Sequence, residues 1–288
     1  MQIHHLTPRD PSYPQFLHHI AQPPKELFVR GNIKILNDFA LAVVGSRAIT
    51  PYGKNITEQL VTEVAWGGIV IVSGLALGVD SMAHKAALAA KGKTIAVLPC
   101  GIERIYPASH RQLADDIIER GGAVISEYAG DMQPHKSHFI ARNRLIAGIA
   151  DAVLVTEAST RSGSLHTAQF ALEDGKEVMA IPGSIFSPNS VGTHRLIASG
   201  AQLIQDSQEI LNFFNNSSRL SGGSENIHQQ TLLNLLATQP METYELIGKS
   251  QMNRDAFWRA LAELEYKDIL VEQNGKWTFK FAKAQKLS

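Results

Sequence analysis

Four side chains within six positions, Phe139, Arg142, Asn143 and Arg144, carry the strongest chemical signal in the sequence. They open the stretch His138–Ala158, HFIARNRLIAGIADAVLVTEA, which starts with helical periodicity and ends as an apolar strand. At about 100° per residue, Arg142 and Asn143 project beside Phe139 and Ile146, whereas Arg144 projects between Ile140, Ala141, Ala147 and Gly148. Neither side is a plain solvent face. At least one guanidinium therefore lies against packed protein, where it needs an anionic or hydrogen-bonding partner. An internal salt bridge or a carbonyl clamp meets that need, and so does a bound phosphate. Two arginines, an asparagine and an aromatic so close together favour the phosphate.

Other segments offer the same chemistry. Gly45-Ser46-Arg47 precedes Thr50-Pro51-Tyr52-Gly53 and a helical pattern. Glycine admits backbone N–H groups to an anion, a helix N-terminus favours negative charge, and Arg47 supplies a fork of donors. This is neither the GxGxxG fingerprint nor a Walker A loop. Ser73–Asp80 is again punctuated by glycine, ahead of a helical pattern in which His84 lies among alanines and reads as core or surface rather than catalytic. From Ser159 to Ala168, hydroxyls surround Gly163 at a helix start, but the G-x-S-x-G nucleophile elbow is absent. Glu157 is the carboxylate best placed for general-base work; pairing with Arg142 or Arg144 is the reading preferred here. Cys100 has no cysteine or metal-spaced histidine partner and reads as a small buried hydrophobe. Residues 131–150 hold three basic side chains against one acidic, with His135 and His138 beside Lys136.

These segments need a frame that brings them together. From Phe39 onward, apolar runs (Leu41–Gly45, Ile69–Gly74, Thr94–Pro99, Ala123–Tyr128, Ala152–Ala158 and Glu177–Gly183) alternate with helical patterns such as Tyr52–Trp66. Continuous Val/Ile/Leu strands alternating with amphipathic helices predict a parallel sheet covered on both faces. Ligands of such sheets sit beyond the carboxyl ends of the strands, where the donor-rich segments fall. Before this core, residues 1–37 are broken by prolines and read as an arm packing on it, with Tyr13–Ile20 as a helical turn or two and Leu27-Phe28-Val29 as a short strand. The core is expected over 38–214. Asn215 to Ser224, rich in Asn, Ser and Gly, reads as a linker. Residues 225–288 then read as helices over Ile227–Leu236 and Asn253–Tyr266 and a hairpin around Asn274-Gly275, a winged-helix-like module. Its second helix carries Arg254 and Arg259 against Asp255, Glu263 and Glu265, a weak balance for holding DNA.

Bulk properties narrow the function. The 288 residues are 44% hydrophobic and 19% charged with a formal net charge of zero, so any polyanion site is a local patch. A single cysteine excludes a disulfide framework and fits a reducing compartment. No apolar run approaches ~18–20 residues and the start lacks a signal-peptide pattern, so the expectation is a soluble cytoplasmic protein.

The segments VVGSRAITPYG (43–53), IVSGLALGVDSMAHKAAL (71–88), GIERIYPASH (101–110), FIARNRLIAGIADAVLVTEA (139–158), SGSLHTAQFALEDGKEV (162–178) and IPGSIFSPNSVGTHRLIASGA (181–201) together resemble the DNA-processing protein A family (DprA, also called Smf) of bacterial transformation. YPQFLHHIAQPPKELFVRGN (13–32) is similar to the family's lead-in, and the carboxyl module to its winged-helix-like domain. Only about a dozen residues precede Tyr13, where many members carry a small helical domain. The resemblance implies an extended Rossmann-like domain that binds single-stranded DNA without reading sequence. It implies a homodimer that loads RecA recombinase onto the incoming strand against single-strand-binding protein. By motif match the DNA contacts are Gly45, Ser46, Arg47, Lys136, Phe139, Arg142, Asn143, Arg144, Ser162 and Gly163, with Lys176 extending the track. No catalytic residue, metal or cofactor is assigned. The alternative is a nucleotide phosphoribohydrolase of the lysine-decarboxylase-like family, whose PGGxGTxxE signature is here SGSLHTAQF, without the doubled glycine and with Gln169 near the glutamate position.

Overall fold

The computed structural model describes residues 2–216, 224–250, 252, 254–267 and 269–280. Two compact units divide the chain, residues 1–211 and 212–288. In the first unit the strands are β1 (Ile3–Leu6), β2 (Leu27–Gly31), β3 (Ala40–Val44), β4 (Val70–Ser73), β5 (Thr94–Val97), β6 (Ala123–Ser126), β7 (Ala152–Val155), β8 (Glu177–Ala180) and β9 (Gln202–Leu203). The helices are α1 (Pro51–Trp66), α2 (Val79–Ala89), α3 (Arg111–Glu119), α4 (Lys136–Ile149), α5 (Ser164–Glu173), α6 (Val191–Ala198) and α7 (Ser207–Asn216), the last running into the second unit. Every residue of β3, β4, β5, β6 and β7 is buried, as a sheet covered on both faces demands.

One sheet takes all nine strands in the order β1-β2-β6-β5-β4-β3-β7-β8-β9. From β6 to β9 every pairing is parallel, while β2 joins β6 and β1 joins β2 antiparallel. The architecture is therefore the mostly parallel sheet that the alternating pattern predicts, and the Rossmann-like domain that the family resemblance implies. Its strand order reverses between β3 and β7: the chain builds outward from β3 through β4, β5 and β6, then returns to place β7 on the other side of β3. At such a reversal the two strand-end loops diverge and leave a crevice.

The amino-terminal arm does more than pack on the core. Its β2 pairs residue by residue with β6, Phe28 opposite Ser126 and Gly31 opposite Ala123, and its β1 forms the sheet edge. A 3-10 turn at Gln15–His18 places Leu17 and Ile20 against Gly148 of α4, where a Cβ would crowd both. Tyr13, fully buried, donates its hydroxyl to the Pro24 carbonyl at 2.9 Å.

The second unit holds α8 (Ser224–Thr238), β10 (Met241–Glu242), α9 (Thr243–Ser250), α10 (Arg254–Tyr266), β11 (Leu270–Gln273) and β12 (Lys276–Phe279). Its core is Leu232, Leu236, Met241, Leu246, Phe257, Leu261, Leu264, Leu270 and Trp277. Between β11 and β12, Asn274 and Gly275 both take positive φ, 53° and 78°, the geometry of a two-residue type I′ hairpin. The short α9 and β10 are elements that the sequence reading leaves unassigned. Of the Asn-, Ser- and Gly-rich segment read as a linker over 215–224, residues 217–223 lie outside the described residues.

Candidate functional site

The crevice between the ends of β3 and β7 has a volume of ≈ 420 Å³. Its floor and walls come from Val44 at the end of β3 and the loop to Ala48, from Ala76 and from Asp80 in the first turn of α2, from the loop after β7 and the first turn of α5, and from one face of α4. Of the residues singled out from the sequence, Gly45, Ser46, Arg47, Phe139, Arg142, Asn143, Ser162 and Gly163 all line it. Lys136, at the first turn of α4, is exposed and stands outside the lining. Arg144 and Lys176 are not brought to the crevice.

The two arginines of α4 do different work. Arg142 is buried, with Nη1 donating to the carbonyls of Gly74 and Val97, both at 2.5 Å. It clamps the ends of β4 and β5 together. Gly74 is required for this approach, because a Cβ there would collide with the guanidinium. Burial pulls the Arg142 guanidinium down to about 10, against the opposing pull of Asp80. Asp80 is itself buried and accepts from the N–H groups of Gly74 and Ala76; burial raises its carboxyl, with Arg142 the main opposing influence. Arg144 instead reaches both carboxylate oxygens of Glu127 at 2.6 Å through Nη2. Its Nη1 is buried and has no hydrogen-bond partner among the described residues. A carbonyl clamp and an internal salt bridge therefore both occur, one at each arginine.

Arg47, unlike Arg142 and Arg144, stands at the surface. It is exposed, and its guanidinium carbon lies 5.2 Å from the Phe139 ring centroid, a cation–π distance. Asn143 turns its amide to donate to the Gly163 carbonyl at 3.2 Å and accepts from Arg142 Nε, tying α4 to the loop after β7. In that loop Ser162 Oγ meets Ser164 Oγ at 2.7 Å ahead of α5. Arg161 of this loop and His166 of the first turn of α5, both exposed, also line the crevice, although the sequence reading gave neither a role. The signal was present, because both sit in the hydroxyl- and glycine-rich start of α5.

Glu157 has a structural partner, but not an arginine. Thr50 donates its N–H and hydroxyl to the two carboxylate oxygens at 2.9 and 2.5 Å. Thr50 caps α1, so this buried carboxylate sits at the positive end of that helix. The arginines cannot reach it, since α4 directs Arg142 to β4 and β5 and Arg144 to Glu127. Lys176 lies at the other end of α4, where Nζ donates to the carbonyls of Ala147, Gly148 and Ala150 at 2.7–2.9 Å and caps the last turn. His84 is fully buried: Thr94 donates its hydroxyl to the Ile71 carbonyl, so His84 Nδ1–H donates to Thr94 Oγ1. Cys100 is buried, and burial pushes its thiol up to about 11. Among the described residues no three His, Cys, Asp or Glu side chains group to hold a metal ion, and no helix is long and apolar enough to cross a membrane.

Comparison with known proteins bears on this arrangement. Residues 4–215 match the family model for DNA recombination-mediator protein A. The chain is 47% identical over 209 residues to Protein Smf of Escherichia coli, covering 72% of this chain and 56% of that protein. It is 46% identical over 202 residues to DNA processing protein DprA of Streptococcus pneumoniae, covering 70% and 71%. The X-ray structure of that DprA superposes with a TM-score of 0.69 at 43% identity over 74% of each chain. DNA processing protein A of Helicobacter pylori, solved for its single-stranded DNA binding mode, superposes with a TM-score of 0.67 at 35% identity over 74% of this chain and 96% of that one. The chain thus spans little more than half the length of the Escherichia coli relative.

Proposed function

Since the chain belongs to the DNA recombination-mediator protein A family, we propose that it binds single-stranded DNA, without sequence preference, along the crevice at the β3/β7 reversal. The observation that carries this reading is the pair Arg47 and Phe139, an exposed cation in contact with a half-buried aromatic ring, both lining a donor-rich crevice. Phosphates are held by Arg47, Lys136, the backbone N–H groups of Gly45, Ser46 and Gly163 and the Ser162 hydroxyl, with Arg161 as a further cation. Phe139 stacks on a base, a contact that tolerates any sequence because every base has a π-face. Asn143 sets the loop after β7. Arg142 and Arg144 support the site from behind, and Lys176 holds α4 without touching the strand. The H. pylori relative's single-stranded DNA binding supports the ligand class.

The same reading makes the chain a cytoplasmic, non-catalytic mediator of transformation: a homodimer that loads RecA recombinase on the strand and opposes single-strand-binding protein. The names of the relatives support a role in DNA processing and recombination mediation. Glu157 is committed to Thr50, which supports a structural rather than a general-base role for it. A mobility-shift titration of single and double strands, with and without RecA and single-strand-binding protein, tests the proposal. Equal affinity for both strand types refutes the binding reading. Failure of RecA to assemble faster refutes the mediator reading alone. Multiple-turnover hydrolysis of nucleotide monophosphates, lost in Glu157→Gln, restores the phosphoribohydrolase alternative.

A further inference from the structure

We propose that Tyr106 and Leu77 form, with Phe139, a corner that receives one unpaired base, so that the strand is gripped by two rings rather than one. The inference rests on the single-strand reading above. Its basis is a second, smaller hollow of ≈ 60 Å³ that shares Arg47 and Phe139 with the crevice and is lined besides by Leu77, Pro99, Tyr106 and Pro107 among others. Liquid water occupies about 30 Å³ per molecule, so this hollow is too small to enclose a base. It can receive one edge of a base lying across its mouth.

The ring geometry fits that use. Tyr106 and Phe139 have centroids 5.5 Å apart and planes inclined at 74°. Two rings at that angle make an inside corner: a flat base that lies on one ring presents its edge to the other, an arrangement aromatic groups favour. Leu77 and Tyr106 are 52% and 40% exposed, although both belong to loops that are otherwise tightly held. Ile105 beside Tyr106 is buried, and Arg104 before it is paired with Asp131 at 2.5 Å. On the other side His110 donates its N–H to the Pro107 carbonyl and its Nδ1–H to the Leu75 carbonyl, linking the two loops. The hydroxyls of Tyr13 and Tyr52 each donate to a backbone carbonyl, whereas that of Tyr106 makes no hydrogen bond to the described residues. A large ring fixed in place, half-exposed, with its hydroxyl unused and a cation one ring away, has the makings of a contact surface. The corner also explains strand selection: in a duplex both faces of each base are stacked, and neither ring has access to one.

The test couples the protein change to the DNA. Anisotropy titrations compare a labelled oligothymidylate with an oligonucleotide of equal length and charge whose central residues are abasic. Tyr106→Ala is expected to weaken binding of the oligothymidylate by roughly 5- to 150-fold, the span of base–aromatic stacking, and to leave abasic binding within about twofold. Tyr106→Phe is expected to restore the oligothymidylate affinity, which a merely disturbed loop would not predict. Unchanged oligothymidylate binding by Tyr106→Ala, or an equal loss on both oligonucleotides, overturns the corner. If Arg47→Ala and Phe139→Ala also bind like the parent, the single-strand crevice itself is wrong. If those two lose affinity while Tyr106→Ala does not, only this inference falls.

Discussion

Replacing Arg142 with alanine should damage the fold first and the proposed DNA site second. Arg142 is 4% exposed, and its guanidinium satisfies the Gly74 and Val97 carbonyls, both at 2.5 Å, while opposing the buried charge of Asp80. Removing it leaves two buried acceptors unpaired and one carboxylate without its cation. Hydrogen bonds to charged groups contribute ~1.5–3 kcal/mol each, and breaking a buried charge partnership costs ~3–5 kcal/mol. Because these contributions overlap at one side chain, the expected loss is about 3–5 kcal/mol, a large share of the ~5–15 kcal/mol typical of a domain. For a unit of this size that lowers the melting temperature by roughly 6–20 °C. Asp80 supplies a second readout. Burial already raises its carboxyl above the ordinary 3.8, and loss of Arg142 removes the main influence pulling it back. A raised folded-state pKa favours folding when the group is protonated and loses that advantage as pH rises through it. The variant's deficit should therefore shrink as pH falls from neutrality toward 3.8. Urea titrations at several pH values measure both effects. A variant that melts within about 1 kcal/mol of the parent yet loses single-strand binding would show Arg142 to be a ligand contact, refuting the clamp argument.

Arg47→Ala should behave oppositely: unchanged melting, weaker single-strand binding, and a plot of log affinity against log salt shallower by about one unit, as for a lost phosphate contact. An unchanged slope with lowered affinity would point to stacking or loop geometry instead. Deleting residues 215–288 should retain most single-strand affinity, because the helix read as Asn253–Tyr266 carries two basic side chains against three acidic ones; a large loss on truncation shows a DNA contact in the second unit. His84 gives a pH test in the first unit. Burial, with smaller contributions from His110 and Arg142, lowers its imidazole from 6.5 to about 3, so stability present above 6.5 should fall as pH drops toward 3. The slope is about 1.4 kcal/mol per pH unit from this residue, and it should be absent from the chemical denaturation of His84→Gln.

Periodicity and residue type determined much of this molecule. Uninterrupted Val/Ile/Leu runs between amphipathic segments specify buried parallel strands, since only a sheet covered on both faces hides every side chain of a strand. Asn274-Gly275 specifies its hairpin, because a type I′ turn needs two residues that tolerate positive φ. The residue types of the crevice were legible too: Arg47, Phe139, Asn143 and the Ser162-Gly163 start of α5 stand at strand ends, where such sheets leave room for a ligand. What each charge does was not legible. Arg142 and Arg144 are two positions apart on one helix, and two residues there turn through about 200°. One therefore meets the β4 and β5 ends and the other meets Glu127. Glu157 likewise found Thr50, a residue 107 positions away, and β2 found β6 across nearly the same separation. Local pattern reports which face of an element is buried, because burial is repeated along the element. It does not report the partner across the gap, because that depends on where the sheet's strand order brings distant segments together.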